Sequence, residues 1–151
     1  MVDVSFRPFL ANDLFRYDIV NIDPFTENFH IQFYLNYLVG WPECCFVAAS
    51  ATGDIIGYVL GKTEGVGEEW HVHVTAITVC PEYRGTGVAR TLLTKLERTG
   101  KSARARFCDL YVRIDNSAAV QFYQRNGYCV HQKVEDYYPD GLAAYDMRKN
   151  L

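Results

Sequence analysis

The chain has 151 residues, 49% hydrophobic and 22% charged, with a formal net charge of −3. That composition fits one globular domain with a substantial core and excludes a disordered chain. The slightly acidic balance gives no general attraction to nucleic acid or anionic membranes, so neither direct DNA binding nor membrane attachment is expected.

The N-terminal MVDVSFRPF lacks a charged stretch followed by an apolar one, so no signal peptide is expected. No apolar run approaches the ~18 residues needed to cross a bilayer. In chain order, VSFRPF reads as a short strand. NDLFRYDIVNI reads as a helix with Asn12 at its N-cap. TENFHIQFYLNYLVGW holds a loop and a second helix that ends near Gly40 and Pro42. On this helix Ile31, Tyr34, Leu35 and Leu38 form one apolar stripe, and Phe33 and Tyr37 an offset second one. Such a helix needs cover on two sides, either from the core alone or from the domain on one side and a partner on the other.

CCFVAASA and IIGYVLGKTE read as strands around Thr52-Gly53-Asp54, a hairpin signal. WHVHVTAITV is a longer strand. Alternation puts Trp70, Val72, Val74 and Ala76 on one face and His71, His73 and Thr75 on the other. The polar face is read equally as satisfied core histidines or as the lining of a pocket. GVARTLLTKLERTG reads as a helix closed by Gly100. FCDLYVRI is a strand, and NSAAVQFYQRNG a helix between Asn116 and Gly127. YCVHQKVEDYY and AAYDMRK are closing strands around the turn PDG. The order β-α-α-β-β-β-α-β-α-β-β predicts an α/β fold over residues 1–151, with about seven strands in one mixed sheet and about four helices packed on it. Cys44, Cys45, Cys80, Cys108 and Cys129 form no C-x-x-C and lie in or beside apolar runs. They read as small buried hydrophobes rather than a disulfide frame or a metal site.

The segment RGTGVAR, Arg84 to Arg90, joins a predicted strand to a helix whose apolar positions Val88, Ala89, Leu92, Leu93 and Leu96 keep helical spacing. A turn there would aim free backbone N–H groups and the positive end of the helix dipole at one point, as an anion site does. The same residues also suit a plain strand-to-helix turn. A dinucleotide fingerprint wants G-x-G-x-x-G after the first strand, whereas this segment follows the fourth. GYVLGKT, Gly57 to Thr63, has one residue too few for a P-loop and reads as strand. Arg98, Lys101, Arg104 and Arg106 form a basic run that suits either a solvated loop or a contact with RNA.

The pattern R-x-x-G-x-A at Arg84, Gly87 and Ala89, followed by NSAAVQFYQRNGY, resembles the GNAT acetyltransferase superfamily. Its second signature matches at Asn116, Ala119, Phe122, Tyr123 and Gly127, with Tyr128 in place of the usual Phe. DPFTENF, FYLNYLVGWPE, EEWHVHVTAITV, PEYRGTGVA, DLYVR, EDYY and AYDMRK together resemble the catalytic subunits of NatB N-terminal acetyltransferases. The resemblance implies a mostly antiparallel GNAT sheet and acetyl-coenzyme A as cosubstrate, without a metal. It implies cosubstrate contacts at Ile77, Val79, Arg84, Gly85, Thr86, Gly87, Val88, Ala89, Arg90, Asn116, Ala119 and Tyr123. It further implies protein substrates beginning Met-Asp, Met-Glu, Met-Asn or Met-Gln, and a large helical auxiliary subunit against the first two helices. Work in the cytoplasm on nascent chains at the ribosome is also implied.

Glu27, Phe29, His73, Thr75, Tyr137 and Tyr138 are the implied substrate groove; Tyr137 and Tyr138 share one groove only if the chain turns between them. An α-amine of pKa ~7.7–8.0 needs no strong base, so a proton acceptor reached through water suffices; His73 is the candidate. N–H groups near Thr78 and Val79 are candidates for stabilising the oxyanion, and Tyr123 for the leaving thiolate. The other readings are a GNAT enzyme for lysine or small amines, and a non-catalytic acyl-coenzyme-binding module.

Overall fold

The computed structural model describes residues 3–16 and 29–151. Seven strands, β1 (Val4–Pro8), β2 (Cys45–Ser50), β3 (Ile55–Glu64), β4 (His71–Val79), β5 (Phe107–Arg113), β6 (Cys129–Val134) and β7 (Ala144–Asn150), form one sheet. Their order is β1-β2-β3-β4-β5-β7-β6. Every neighbouring pair is antiparallel except β4 with β5. This is the mixed, mostly antiparallel sheet expected from the sequence.

The described α-helices number three rather than about four: α1 (Ile31–Gly40), α2 (Val88–Ser102) and α3 (Ser117–Arg125). Where a helix was expected over 12–22, the chain makes a 3-10 turn, Ala11–Phe15, with Leu10 rather than Asn12 at its cap position. Asp13, inside the turn, does the capping. Its carboxylate accepts from the Leu10 N–H at 2.8 Å and from both Arg7 terminal nitrogens at 2.7 Å. Burial pushes the Asp13 carboxyl up, but Arg7 and the Leu10 N–H outweigh it and hold it below its ordinary range. The rest of that expected helix lies in 17–28, outside the described residues.

The sheet is covered on both faces. Val88, Leu92, Leu93 and Leu96 of α2 pack with Val72, Val74 and Val79 of β4, Leu110 of β5 and Tyr123 of α3. Each fully buried aliphatic side chain here contributes roughly 1.5–3 kcal/mol. On the other face Tyr34 and Tyr37 of α1 meet Val47, Ala49, Tyr58 and Leu60. The two stripes expected on α1 reduce to one buried side: Tyr34 and Tyr37 are buried, Phe33, Leu35 and Leu38 half-buried, and Ile31 is 53% exposed.

Two glycines play different parts. Gly127 ends α3 as expected, at φ +95°, with its N–H on Gln124 O and the Tyr128 N–H on Tyr123 O. Gly100 does not close α2, which continues to Ser102. It is buried where α2 crosses β4, and a Cβ there would lie 2.8 Å from Val72 Cγ1 and 2.9 Å from Leu151 Cδ1. β6 stops at Val134 instead of running to Tyr138, and Asp136 turns the chain at φ +55°. Cys44, Cys45, Cys80 and Cys108 are buried as expected, but Cys129 is exposed on β6. Burial pushes the thiol of Cys44 up to about 12, Cys45 to about 11 and Cys108 to about 12.

Gly100→Ala tests the close approach. Alanine gains up to about 1 kcal/mol in helix propensity, but overpacking a filled site costs about 1–3 kcal/mol. The expected result is a lower urea midpoint with unchanged m; a raised midpoint contradicts the contact.

Candidate active site

Site geometry starts from an irregularity in β4. Leu60 of β3 pairs with Ala76, but Gly61 pairs with Val74, so Thr75 bulges out of the ladder. A bulge shifts side-chain parity by one. Val72 and Val74 therefore share the α2 face with Ile77 and Val79, while Ala76 packs among the α1-side residues. The expectation that Ala76 lies with Val72 and Val74 is corrected by this bulge. Thr75 turns its hydroxyl to Tyr37 of α1, donating to the phenol oxygen at 2.7 Å.

The bulge also ends the parallel pairing. β4 and β5 are in register from His71 with Phe107 to Val74 with Leu110, and no further. Beyond Val74 the strands part and a cleft of about 1450 Å³ opens between them. That exceeds the ~300–1,000 Å³ of ordinary small-molecule pockets and suits a long ligand. Cys80 N–H donates to Ile56 O on β3 at 2.7 Å. In an antiparallel ladder alternate residues bond the same neighbour, so Thr78 and Ala76 also face β3. Ile77 and Val79 turn their N–H groups into the cleft, and Arg84 Nε donates to Val79 O from that side at 3.3 Å. The cleft-facing donors are thus at Ile77 and Val79; Thr78, expected from the sequence, points the other way.

At one end of the cleft stands the turn before α2. Gly85 and Gly87 hold φ of +74° and +87°, a region that favours glycine. A Cβ at either would meet nothing within 4 Å, so conformation rather than space demands glycine here. Gly87 is the N-cap of α2 and has no side-chain cap. The first intrahelical bond is Thr91 N–H to Gly87 O, so the N–H groups of Val88, Ala89 and Arg90 carry no helical partner. Arg84, Gly85, Gly87, Val88, Ala89 and Arg90 all line the cleft. Thr86 does not; its hydroxyl donates to Tyr83 O. An anionic group fits this turn by dipole, donors and charge.

From the opposite wall α3 contributes Asn116, Ala119 and Tyr123. Asn116 Oδ1 caps α3 by accepting from the Ala119 N–H at 3.2 Å. Tyr123 is buried to 8% exposure beside Tyr128 and Phe122. Burial pushes its phenol well above the ordinary value, so it remains a hydrogen-bond donor.

His73, Thr75, Tyr137 and Tyr138 gather in the same cleft. The turn at Asp136 lets both tyrosines reach one groove, because they no longer belong to a regular strand. Tyr137 stacks on Tyr111 of β5 with centroids 5.0 Å apart. Tyr138 lies over the Arg113 guanidinium at 4.9 Å, and Arg113 bonds Asp140 at 2.8 Å. Arg113 and the Leu142 N–H hold the Asp140 carboxyl below its usual range. Phe29 is not in the cleft lining; it stacks on Phe33 at 4.2 Å. Glu27 lies outside the described residues.

Sequence reasoning missed Asp109, Tyr111 and Arg113 on β5. Tyr111 and Arg113 line the cleft, and Asp109 is 4% exposed with Oδ1 2.7 Å from His73 Nδ1. A carboxylate inside the strand FCDLYVRI was the available signal, since a buried charge requires a partner.

Gly87→Ala isolates the backbone effect, because no packing clash accompanies it. An L-residue in the left-handed region costs about 1–2 kcal/mol, and relaxation would turn the α2 N–H groups aside. Calorimetry is expected to show acetyl-coenzyme A binding weakened about tenfold or more with the fold intact; unchanged affinity would remove the turn from the ligand site.

Residues 11–128 match the family described as Acetyltransferase (GNAT) family. The catalytic subunit naa20 of the N-terminal acetyltransferase B complex of Schizosaccharomyces pombe is 49% identical over 151 residues, covering 96% of this chain and 84% of that protein. Its Arabidopsis thaliana counterpart, NAA20, is 43% identical over 148 residues, covering 97% and 85%. Among solved structures, Chaetomium thermophilum Naa20 in complex with a bisubstrate analogue superposes with a TM-score of 0.94 at 40% identity, covering 97% of this chain and 86% of that one. A chain of the NatB acetyltransferase complex bound to CoA and MES superposes at 0.90 with 40% identity, covering 97% and 99%. Motif, splayed sheet and relatives agree: the chain belongs to the GNAT acetyltransferases and, within them, to the catalytic subunits of the NatB type.

Proposed function

We propose that the chain transfers acetyl from acetyl-coenzyme A to the α-amine of proteins that begin Met-Asp, Met-Glu, Met-Asn or Met-Gln, as the catalytic subunit of a NatB-type complex. The observation that carries this reading is the continuity of one cleft. It runs from the amide-rich turn before α2, along the unpaired half of β4, to His73 and Tyr137.

The cosubstrate supplies an activated acyl group on sulfur. The Val88, Ala89 and Arg90 N–H groups, with Arg84 and Arg90, bind its diphosphate. The Ile77 and Val79 N–H groups stand where a strand partner would pair, so they orient the acyl arm and stabilise negative charge developing on its oxygen. A chain α-amine at pKa ~7.7–8.0 is ~10–20% neutral at pH 7, whereas a lysine at ~10.4 would cost about 4–5 kcal/mol to neutralise. Among the described residues no carboxylate or lysine lines the cleft, which suits an α-amine over lysine. As the C–N bond forms and the C–S bond breaks, the amine proton leaves through water to solvent, and His73 serves the substrate side chain. Tyr123 donates a hydrogen bond to the departing sulfur. Its raised phenol makes full proton transfer to a thiolate of ordinary pKa ~8.5 uphill, so solvent completes that protonation. His73, Thr75, Tyr137 and Tyr138 offer the polar groups for a short acidic or amide side chain at position two.

Leu10, Phe15, Ile31 and Val39 are apolar and 53–83% exposed around the 3-10 turn and α1, which supports an auxiliary subunit on that side. Work in the cytoplasm on nascent chains at the ribosome belongs to the same reading. Arg98, Lys101 and Arg104 are exposed, and Arg106 pairs with Glu68 at 3.3 Å.

The test is acetyl transfer to Met-Asp, Met-Glu, Met-Asn, Met-Leu and Ser-Ala peptides by the chain with its co-purified partner. Preference for the first three supports the reading; equal rates, or transfer to peptides with a blocked α-amine, refute it. Tyr123→Phe should lower kcat by about 10–100-fold, the scale of one hydrogen bond to a charged group, with little change in acetyl-coenzyme A affinity. His73→Ala should reduce turnover of Met-Asp peptide more than it weakens coenzyme binding.

A further inference from the structure

His73 does not stand alone. It pairs across the parallel ladder with Asp109, and its Nδ1 lies 2.7 Å from Asp109 Oδ1. An ionised carboxylate accepts hydrogen bonds and donates none, so Nδ1 carries the proton. Nε2 is then bare in the neutral ring and becomes a donor only when the ring is charged. No described residue bonds Nε2, and His73 lines the cleft. The second Asp109 oxygen lies 3.6 Å from Nε2 of His71. His71 is turned from the cleft: its Nδ1 is 2.6 Å from Glu69 O and its ring stacks on Phe107.

The other charged and titratable neighbours are accounted for by element. From β3 come Lys62 and Glu64, paired at 3.0 Å and set opposite His73 and His71. From β5 comes Tyr111, its ring 5.7 Å from that of His73, with Tyr137 stacked on it. From β7 come Arg148, opposite Asp109, and Asp146, which pair at 3.4 Å. From α1 comes Tyr37, bonded to Thr75. Asp109 is the group that bonds the His73 ring directly.

We propose that Asp109 is the positioning residue that makes His73 a proton-dependent reader of substrate residue two. This rests on the preceding reading that His73 faces that residue. A charged ring donates Nε2–H to a carboxylate, as in Met-Asp. A neutral ring turns a lone pair to the same carboxylate and repels it. A side-chain amide, as in Met-Asn, is served by both forms: its oxygen accepts from the charged ring and its N–H donates to the neutral one. Preference for acidic over amide substrates therefore falls as pH rises through the titration of His73.

The experiment measures kcat/KM for Met-Asp and Met-Asn peptides between pH 6 and 9, using the chain with its co-purified partner. The α-amine is common to both peptides, so its ionisation cancels in the ratio. The substrate carboxylate, at ~3.9, stays ionised throughout. In the wild type the Met-Asp to Met-Asn ratio should fall roughly tenfold across the titration, the scale of one charge-assisted hydrogen bond. Asp109→Asn removes the carboxylate that holds the ring, so the fall should be displaced to lower pH, with acetyl-coenzyme A affinity unchanged within about twofold. His73→Gln should make the ratio independent of pH.

A flat wild-type ratio overturns the proposal, as does an Asp109→Asn profile that coincides with the wild type. If calorimetry shows that Asp109→Asn no longer binds acetyl-coenzyme A, the decision passes to His73→Gln: a flat ratio supports the proposal, and a retained slope overturns it. Absence of transfer to either peptide overturns the assigned activity and this proposal with it, a result distinct from transfer with a flat ratio.

Discussion

Thr75 has no partner on β3, and much of the site follows from that single unmatched residue. The bulge reverses side-chain parity along β4, so His73 and Ala76 face α1 while Ile77 and Val79 face α2. It coincides with the last parallel pair, Val74 with Leu110, after which β5 diverges. A sheet interior normally consumes its own amides. Here the interruption leaves N–H groups of a central strand open to a ligand while β3 holds the strand rigid from its other side. The donors are preorganised because the fold, and not the ligand, fixes their direction.

Much of this was legible in the residues. Seven strands appeared in order because runs rich in apolar, branched and aromatic residues are bounded by turn residues. Gly85 and Gly87 marked a strand-to-helix turn, and Asn116 and Gly127 bounded the helix after β5. The bulge had only a faint signal: Gly61, the second glycine of β3, in a strand where glycine often accompanies an irregularity. A Cβ at Gly61 would lie 2.8 Å from Leu96 and 3.0 Å from the His73 carbonyl. Periodicity assumes perfect alternation, so it assigned Ala76 to the wrong face.

Other differences share a cause: local patterns do not report distant contacts. Gly100 had the place of a helix cap in the sequence, yet its role is set by Val72 and Leu151, which no window around residue 100 contains. Asp109 carried no motif, and its meaning appears only when β5 lies parallel to β4 and brings it beside His73. The strand expected through Tyr138 ended at Val134 because Asp136 adopts a left-handed turn and Arg113, 25 residues earlier in the chain, holds Tyr138 and Asp140.

The buried cysteines bear on the safety of handling a thioester. Only a thiolate attacks an acyl group. A free thiol of pKa ~8.5 is partly ionised near neutral pH, whereas burial pushes Cys44 and Cys108 up to about 12 and keeps them as thiols. Cys108 is buried in the core cluster that also holds Tyr123 and does not line the cleft. Desolvation therefore keeps Cys44 and Cys108 from competing with the substrate amine for the acyl group.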